Sequence, residues 1–312
     1  MQLGKMGASW GVALIMLLAL ASESNGLAGQ SSGESASPAN PSVASSWPEV
    51  NLNVLVTDKH GAPQKIDERA FQLFEDGTER PLHFPDLADS RVSLALIIDS
   101  SGSIYKQKQA IVSAVTTIIH GLPPDSEVMA VLFAADPYID LPLTPASKVD
   151  FSFLDRLQAN GPTALWDTVY ATEQHLVAHA KYARRALVIF SDGEDNASHV
   201  KEGNAFWSLE QPDAPVVYSC PVSRANILQS ELMAGHINLR FLAKRGGGTV
   251  FNLDPDPTST ATQIVTDIRS QYVLQFTAAD PARNGKAHKL RLHFPNKDVE
   301  IYGLSTYHAP GK

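Results

Sequence analysis

Two hydrophobic rhythms divide the chain. Near its beginning, apolar residues recur at every second position, as Val50, Leu52, Val54 and Val56, then Phe71 and Leu73, then Leu82 and Phe84. The same alternation returns far downstream in Tyr272, Leu274 and Phe276, and again in Leu290, Leu292 and Phe294, before a last strand expected near Ile301 to Thr306. Period two places such residues on one face of a strand. Turn chemistry punctuates the first run at Asp58-Lys59-His60-Gly61 and Glu75-Asp76-Gly77-Thr78, so 50–84 reads as a small set of antiparallel strands. Neither run carries a helix to cover it, and two or three strands bury too little to stand alone. The two runs are therefore expected to pair into one sheet or sandwich, with the middle of the chain inserted between them.

In the middle the rhythm changes. Val92 to Ile98, Val128 to Ala134, Ala186 to Phe190 and Val216 to Ser219 are nearly continuous apolar runs, the pattern of strands buried on both faces. Between and after them, Lys106 to Ile119, Val149 to Leu157, Ala164 to Ala180, a stretch around Leu228 to Lys244, and Thr258 to Ser270 read as helices. Ile139 to Leu143 is expected as a short edge strand and Thr249 to Leu253 as a further strand, while Ser198 to Pro215 is polar and takes no assignment. The expected fold class is α/β: a doubly wound, mostly parallel, Rossmann-like sheet with helices on both faces, inserted in a small β sheet or sandwich. The segments this implies are 49–88 for the N-terminal strands, 90–270 for the α/β domain and 271–308 for the C-terminal strands.

Composition adds a leader and excludes some partners. Lys5 precedes an apolar stretch from Trp10 to Ala21, which gives way to Ser22-Glu23-Ser24-Asn25. That is the pattern of a signal peptide over 1–21, and it implies a secreted or periplasmic protein. A Ser, Ala, Gly, Pro and Asn-rich stretch within 22–48 is read as a disordered linker. No later segment approaches the roughly twenty apolar residues of a membrane-spanning helix. The single cysteine, Cys220, permits no internal disulfide, leaves no lipid-attachment cysteine after the leader, and is expected as an inert buried thiol. A net charge of −8, one unit more negative without Lys5, argues against nucleic acid as a partner.

The chemistry concentrates where the first central strand ends. Leu94 to Ser103 reads Leu-Ala-Leu-Ile-Ile-Asp-Ser-Ser-Gly-Ser, so a buried strand delivers Asp99, Ser101 and Ser103 to one loop. One carboxylate and two hydroxyls are hard oxygen donors, which suit Mg2+, Mn2+ or Ca2+ rather than zinc. In an open parallel sheet, ligands bind beyond the carboxyl ends of the strands. Two further loops are expected at that edge: Gly161-Pro162-Thr163-Ala164-Leu165-Trp166-Asp167, opening a helix, and Phe190-Ser191-Asp192-Gly193-Glu194-Asp195, leaving a strand.

With these three loops in order, the stretch from about Arg91 to Ser270 resembles the von Willebrand factor type A family and its metal ion-dependent adhesion site. The flanks, including Phe74-Glu75-Asp76-Gly77, Leu242-Ala243 through Gly247-Gly248, and Gln271-Tyr272, look similar to bacterial exported proteins described as related to this domain. The resemblance implies that Ser101, Ser103 and Thr163 ligate a metal directly, and that Asp99 and Asp192 do so directly or through water. Mostly neutral hydroxyls would leave the ion residual positive charge and an open position for a partner's Asp or Glu carboxylate. Gly161-Pro162 stands where relatives often carry two glycines.

Each element also has a plainer reading. Asp99 could cap the helix that follows, and Asp192-Gly193 is a common turn pair. Asp167, Glu194 and Asp195 read as capping or solvated acids. His175 and His179 have a zinc-compatible spacing, but Leu176 stands where the metalloprotease motif needs glutamate. Gly246-Gly247-Gly248 lacks the Lys-Ser or Lys-Thr of a phosphate loop and reads as a helix C-cap. Asn196-Ala197-Ser198 fits a glycosylation acceptor. The leading expectation is a non-enzymatic module that binds a protein carboxylate through a divalent cation. An aspartate-dependent phosphatase or phosphotransferase is the alternative, although Ser101 occupies the place of its usual second aspartate. A serine hydrolase lacks its Gly-x-Ser-x-Gly elbow, and a structural envelope scaffold with a degenerate site is the third possibility.

Overall fold

The computed structural model describes residues 49–85, 91–157, 161–222, 229–278, 285–296 and 298–308. The expected signal peptide and linker therefore lie outside the described residues. In chain order, β1 (Glu49–Asp58), β2 (Gln72–Glu75) and β3 (Thr78–Arg80) come first. They are followed by β4 (Ser93–Asp99), α1 (Lys108–Gly121), β5 (Glu127–Phe133), β6 (Pro137–Pro145), α2 (Leu165–His179) and β7 (Arg185–Ser191). Next come α3 (Glu202–Leu209), β8 (Val216–Pro221), α4 (Gln229–Arg245) and α5 (Pro257–Arg269). The chain closes with β9 (Tyr272–Thr277), β10 (Ala287–His293), β11 (Val299–Tyr302) and β12 (Thr306–His308).

The central sheet has the order β6-β5-β4-β7-β8, parallel throughout except for the antiparallel edge strand β6. β4, β5, β7 and β8 bury both faces, as their unbroken apolar runs require, while the edge strand β6 is partly open to solvent. Leu94, Leu96 and Ile98 of β4 pack with Ile111, Val115 and Ile118 of α1 and Ile264 and Ile268 of α5. The alternate residues Ala95 and Ile97 face the other way, with Leu165 and Val169 of α2, Leu209 of α3 and Leu239 and Leu242 of α4. One strand thus feeds two cores, and truncating a side chain such as Leu96 to alanine would cost about 2–5 kcal/mol. β4 lies between β5 and β7, so the winding reverses at its carboxyl end. That is where an open sheet leaves a crevice.

The chain ends build a two-sheet structure, as the period-two runs require. β1 lies between β11 and β9, while β10 joins β12 to the β2-β3 hairpin. Leu52 sits opposite Leu274 and Leu73 opposite Leu292. Val50, Leu52, Val54, Leu73, Leu274, Phe276 and Tyr307 share one core. Residues more than two hundred positions apart therefore close a single unit around the inserted α/β domain.

Two local expectations differ from the structure, and one unassigned segment proves helical. Val149 to Leu157 holds one short 3-10 segment, Phe151–Arg156, in place of an α-helix, and another, Ala146–Lys148, directly precedes it. The Asp150 carboxylate caps Ser152 N–H at 3.0 Å, and the six residues that follow are too few to sustain an α-helix. Thr249 to Leu253 is not a strand: it makes one parallel bridge, Ser219 to Val250. The Asn252 side chain accepts from Asp254 N–H at 3.2 Å and turns the chain away. Within the unassigned 198–215, residues Glu202–Leu209 form α3 and bury Ala205 and Leu209. Their i, i+4 spacing was the available signal.

Candidate metal and ligand site

Asp99 ends β4 and is fully buried. Its Oδ1 accepts from the Ser101 N–H at 2.8 Å, and its Oδ2 accepts from the Ser191 hydroxyl at 2.8 Å. Burial first, and then the charge of Asp192, push its pKa up to about 6. The capping alternative does not hold for α1: that helix starts at Lys108 with Gln107 as its cap residue, and a 3-10 stretch, Gly102–Gln107, intervenes. Ser101 stands at the N-cap of that 3-10 stretch without a capping bond from its side chain, and its hydroxyl bonds Asp99 instead. Ser103 lies inside the 3-10 stretch, and its side chain lies outside the described atoms.

Asp192 follows β7 and is buried with Thr163 and Ser191. The Glu194 N–H donates to Asp192 Oδ1 at 3.0 Å, and the Gly193 N–H donates to the Ser191 hydroxyl at 3.0 Å. Ser191 therefore stitches the two acid-bearing loops together. Gly193 adopts a φ of +80°, and a Cβ there would lie 2.0 Å from the Gly235 carbonyl of α4. A Cβ on Gly235 would in turn lie 2.1 Å from the Asp192 carbonyl. Two glycines let a helix backbone press directly on the Asp192 loop. Asn238 Nδ2 locks that approach by donating to the Gly193 carbonyl at 2.9 Å.

Thr163 opens the path into α2. The Ala164 N–H donates to the Ala134 carbonyl at 2.8 Å, and the Ser100 N–H donates to the Phe133 carbonyl at 2.7 Å. The end of β5 thus carries both the Asp99 loop and the Thr163 loop. Asn196 holds Thr163 from the far side: its Oδ1 accepts from the Thr163 N–H at 2.8 Å, and its own N–H donates to the Thr163 carbonyl at 2.9 Å. Sequence reasoning treated Asn196 only as a glycosylation acceptor and missed this role; its place four residues after Asp192 was the only signal. Two of the acids read as capping or solvated accept backbone N–H bonds. Asp195 accepts from the Trp166 N–H at 3.3 Å, and Asp167 accepts from the Val200 and His199 N–H groups at 2.6 and 3.0 Å.

The structure brings Asp99, Ser101, Thr163 and Asp192 to one edge of the sheet, on loops tied to one another. Among the described residues, no three His, Cys, Asp or Glu side chains converge to hold a metal. What converges is two carboxylates with hydroxyls. This donor set is compatible with a hard cation, because carboxylate and hydroxyl oxygens are the donors such ions take. His175 and His179 stack at 4.3 Å, and His179 Nδ1 lies 2.9 Å from the His175 carbonyl. That engagement turns the pair toward its own helix. Cys220 is fully buried, and burial pushes its thiol pKa up. Gly247, at φ +67°, ends α4 with its N–H on the Lys244 carbonyl, as a C-cap glycine does. No described helix is long and apolar enough to cross a membrane.

One family model agrees with this fold over part of the chain. Residues 94–194 match the family model of the von Willebrand factor type A domain. No curated protein sequence matches the chain. Among solved structures, an aerotolerance-related membrane protein from Bacteroides fragilis NCTC 9343, carrying multiple mutations to serines, aligns at 18% identity and a TM-score of 0.45. That alignment covers 57% of this chain and 98% of that one. A von Willebrand factor type A protein from Catenulispora acidiphila aligns at 16% identity and a TM-score of 0.46, covering 85% and 64%. Proximal thread matrix protein 1 from the mussel byssus, with a zinc-occupied MIDAS motif, aligns at 16% and 0.47, covering 64% and 50%. The chain thus spans less than two thirds of the length of the last two. The strand order, the loops at the switch point and the family match over 94–194 agree, and the chain contains a von Willebrand factor type A domain.

Proposed function

We propose that the chain is an exported, non-enzymatic binding module that recognises a carboxylate on a protein partner through a divalent cation. The observation that carries the reading is the buried Asp99 carboxylate, set beside the charge of Asp192 and held by an amide N–H and a hydroxyl at the end of β4. Asp99, Ser101, Ser103, Thr163 and Asp192 would hold the ion, with Mg2+ the expected species and Mn2+ or Ca2+ as substitutes. When bound, the ion would supply residual positive charge and an open position for an Asp or Glu side chain.

The chain's own residues do the rest. Ser191 and the Ser101 N–H fix both oxygens of Asp99, which leaves the carboxylate little freedom to turn away. Asn196 holds the Thr163 backbone, and Gly235 with Asn238 holds the Asp192 loop. Ser101 occupies the position where an aspartate-based phosphatase would carry its acid, so proton transfer to a leaving group has no donor there. Export rests on the leader-like 1–21, whose removal would place the module in a periplasm or outside the cell.

Calorimetric titration of EDTA-stripped protein with Mg2+ and then Mn2+ tests the reading. One saturable site is expected in the wild type and none in Asp99→Ala. Turnover of a generic phosphoester that disappears in Asp99→Ala would replace this reading with the phosphatase.

A further inference from the structure

The opposite edge of the molecule carries a second feature with different chemistry. A cleft of about 880 Å³ opens where the β1-β2 connection, the segment after β3, the residue before β7 and the α5-β9 junction meet. Its charged lining is Lys65, Arg69, Arg184, Arg269 and His83, against a single acid, Glu68. A chain with 33 acids and 25 Lys and Arg residues would not gather four permanent cations around one acid by average composition. Lys65, Arg69 and Arg269 form no ion pair with an acid among the described residues. The neighbouring Asp67 is occupied locally, since its carboxylate accepts from the Arg69 N–H at 3.1 Å.

The cleft is also built rather than accidental. The Tyr272 hydroxyl accepts from the Ile66 N–H at 2.8 Å and donates to the Gln64 carbonyl at 3.2 Å, which fixes the loop that presents Lys65 and Arg69. The wall at His83 is pinned by paired backbone bonds to Gln275 of 2.7 and 2.8 Å. The buried Arg184 guanidinium donates to the Gln271 carbonyl from Nη2 at 2.9 Å, which anchors the floor to the start of β9. Leu82, Phe84 and Val273 add apolar lining. A volume of this size lies in the range that takes a small molecule, roughly 300–1,000 Å³.

We propose that this cleft binds a small oligoanion, a molecule bearing two or more phosphate or carboxylate groups, with Arg69, Arg269 and Lys65 as its charged contacts. Guanidinium forks match both oxyanions in geometry. The cleft lies at the amino end of β7, whereas Asp192 follows its carboxyl end, so a seven-residue strand separates the two features by roughly 20 Å. The two sites are therefore independent, one drawing cations and the other anions.

Calorimetric titration of the full chain in EDTA with inorganic tripolyphosphate and, separately, with citrate tests this without involving the cation site. At low ionic strength, one or both probes should bind with a dissociation constant below 1 mM. Affinity should fall at least tenfold in Arg69→Glu/Arg269→Glu and detectably in Lys65→Glu, and should weaken with added salt. The probe that binds more tightly tells phosphate from carboxylate as the natural group. Both arginines are exposed, so the variants should melt as the wild type does and keep its Mg2+ response. Failure of both probes to bind with a dissociation constant below 1 mM, or binding of equal strength in the double variant, would overturn the proposal.

Discussion

Glu75 in the β sandwich and Asp99 at the sheet edge are both acids withdrawn from water, 1% and 0% exposed, and their surroundings treat them in opposite ways. Glu75 meets the Arg80 guanidinium at 2.8 Å and the Tyr307 hydroxyl. The sandwich thus supplies its own countercharge, and burial, then Glu75, push the Tyr307 pKa up. Asp99 receives an amide, hydroxyls and the repulsion of Asp192. A buried charge is tolerated where the protein neutralises it and is costly where it does not. The contrast teaches that the sandwich acid is held by a guanidinium of its own chain, while Asp99 is held by an amide and hydroxyls, the difference on which the proposed cation site rests.

Disturbing the close backbone approach should show the largest effect. Gly193→Ala adds a Cβ into the Gly235 carbonyl at a φ of +80°, and should cost about 3–5 kcal/mol in urea melts while abolishing any Mg2+ response. Arg80→Ala should cost about 2–3 kcal/mol, because the buried Glu75 carboxylate loses the guanidinium that neutralises it, yet it should leave cation binding unchanged. Equal loss of Mg2+ binding in Arg80→Ala would erase the distinction between the two regions.

Glu173 sharpens the comparison from a third position. It is buried on α2 with Oε1 unpartnered among the described residues, and burial pushes its pKa up to about 7. Below about pH 4 it is protonated in both folded and unfolded chains. Between its ordinary range and about 7 only the unfolded chain ionises, so stability falls as pH rises across that window and levels off above it. Glu173→Gln should flatten that part of the profile and add about 1–3 kcal/mol at pH 8. An unchanged profile by chemical denaturation would show that Glu173 carries no such linkage. The smallest effect is expected at Asn196→Ala, about 1 kcal/mol in stability and roughly tenfold in Mg2+ affinity, because it loosens the Thr163 backbone without removing a donor.

These differences also mark what the sequence made legible. The period-two runs identified the sandwich strands because polar residues alternate with core ones, even in β1, where Asn53 and Thr57 are themselves buried, and the continuous runs identified β4, β5, β7 and β8 because both faces are buried. The pairing of the chain ends followed from a shortage of apolar cover. Val149 to Leu157 misled because Phe153, Leu154 and Leu157 are buried as a helix face would be, although the chain is in 3-10 turns there. Thr249 to Leu253 misled because an apolar alternation at a sheet edge does not reveal that one bridge suffices. At the site, Asp99, Thr163 and Asp192 were legible from their places after strands and before a helix. Asn196, Ser191, Gly235 and Asn238 were not, since each acts through a backbone contact between segments distant in sequence.

Thermal melting of the EDTA-stripped chain, repeated with saturating Mg2+ and Mn2+, tests the central claim most directly. A ligand for the native state at about one hundred times its dissociation constant adds about 2.7 kcal/mol. The wild type should therefore melt several degrees higher with the ion, Arg80→Ala should keep that increment from its lower baseline, and Asp99→Ala should lose it. A wild type that melts at the same temperature with and without the ions, or an equal rise in Asp99→Ala, would contradict the account.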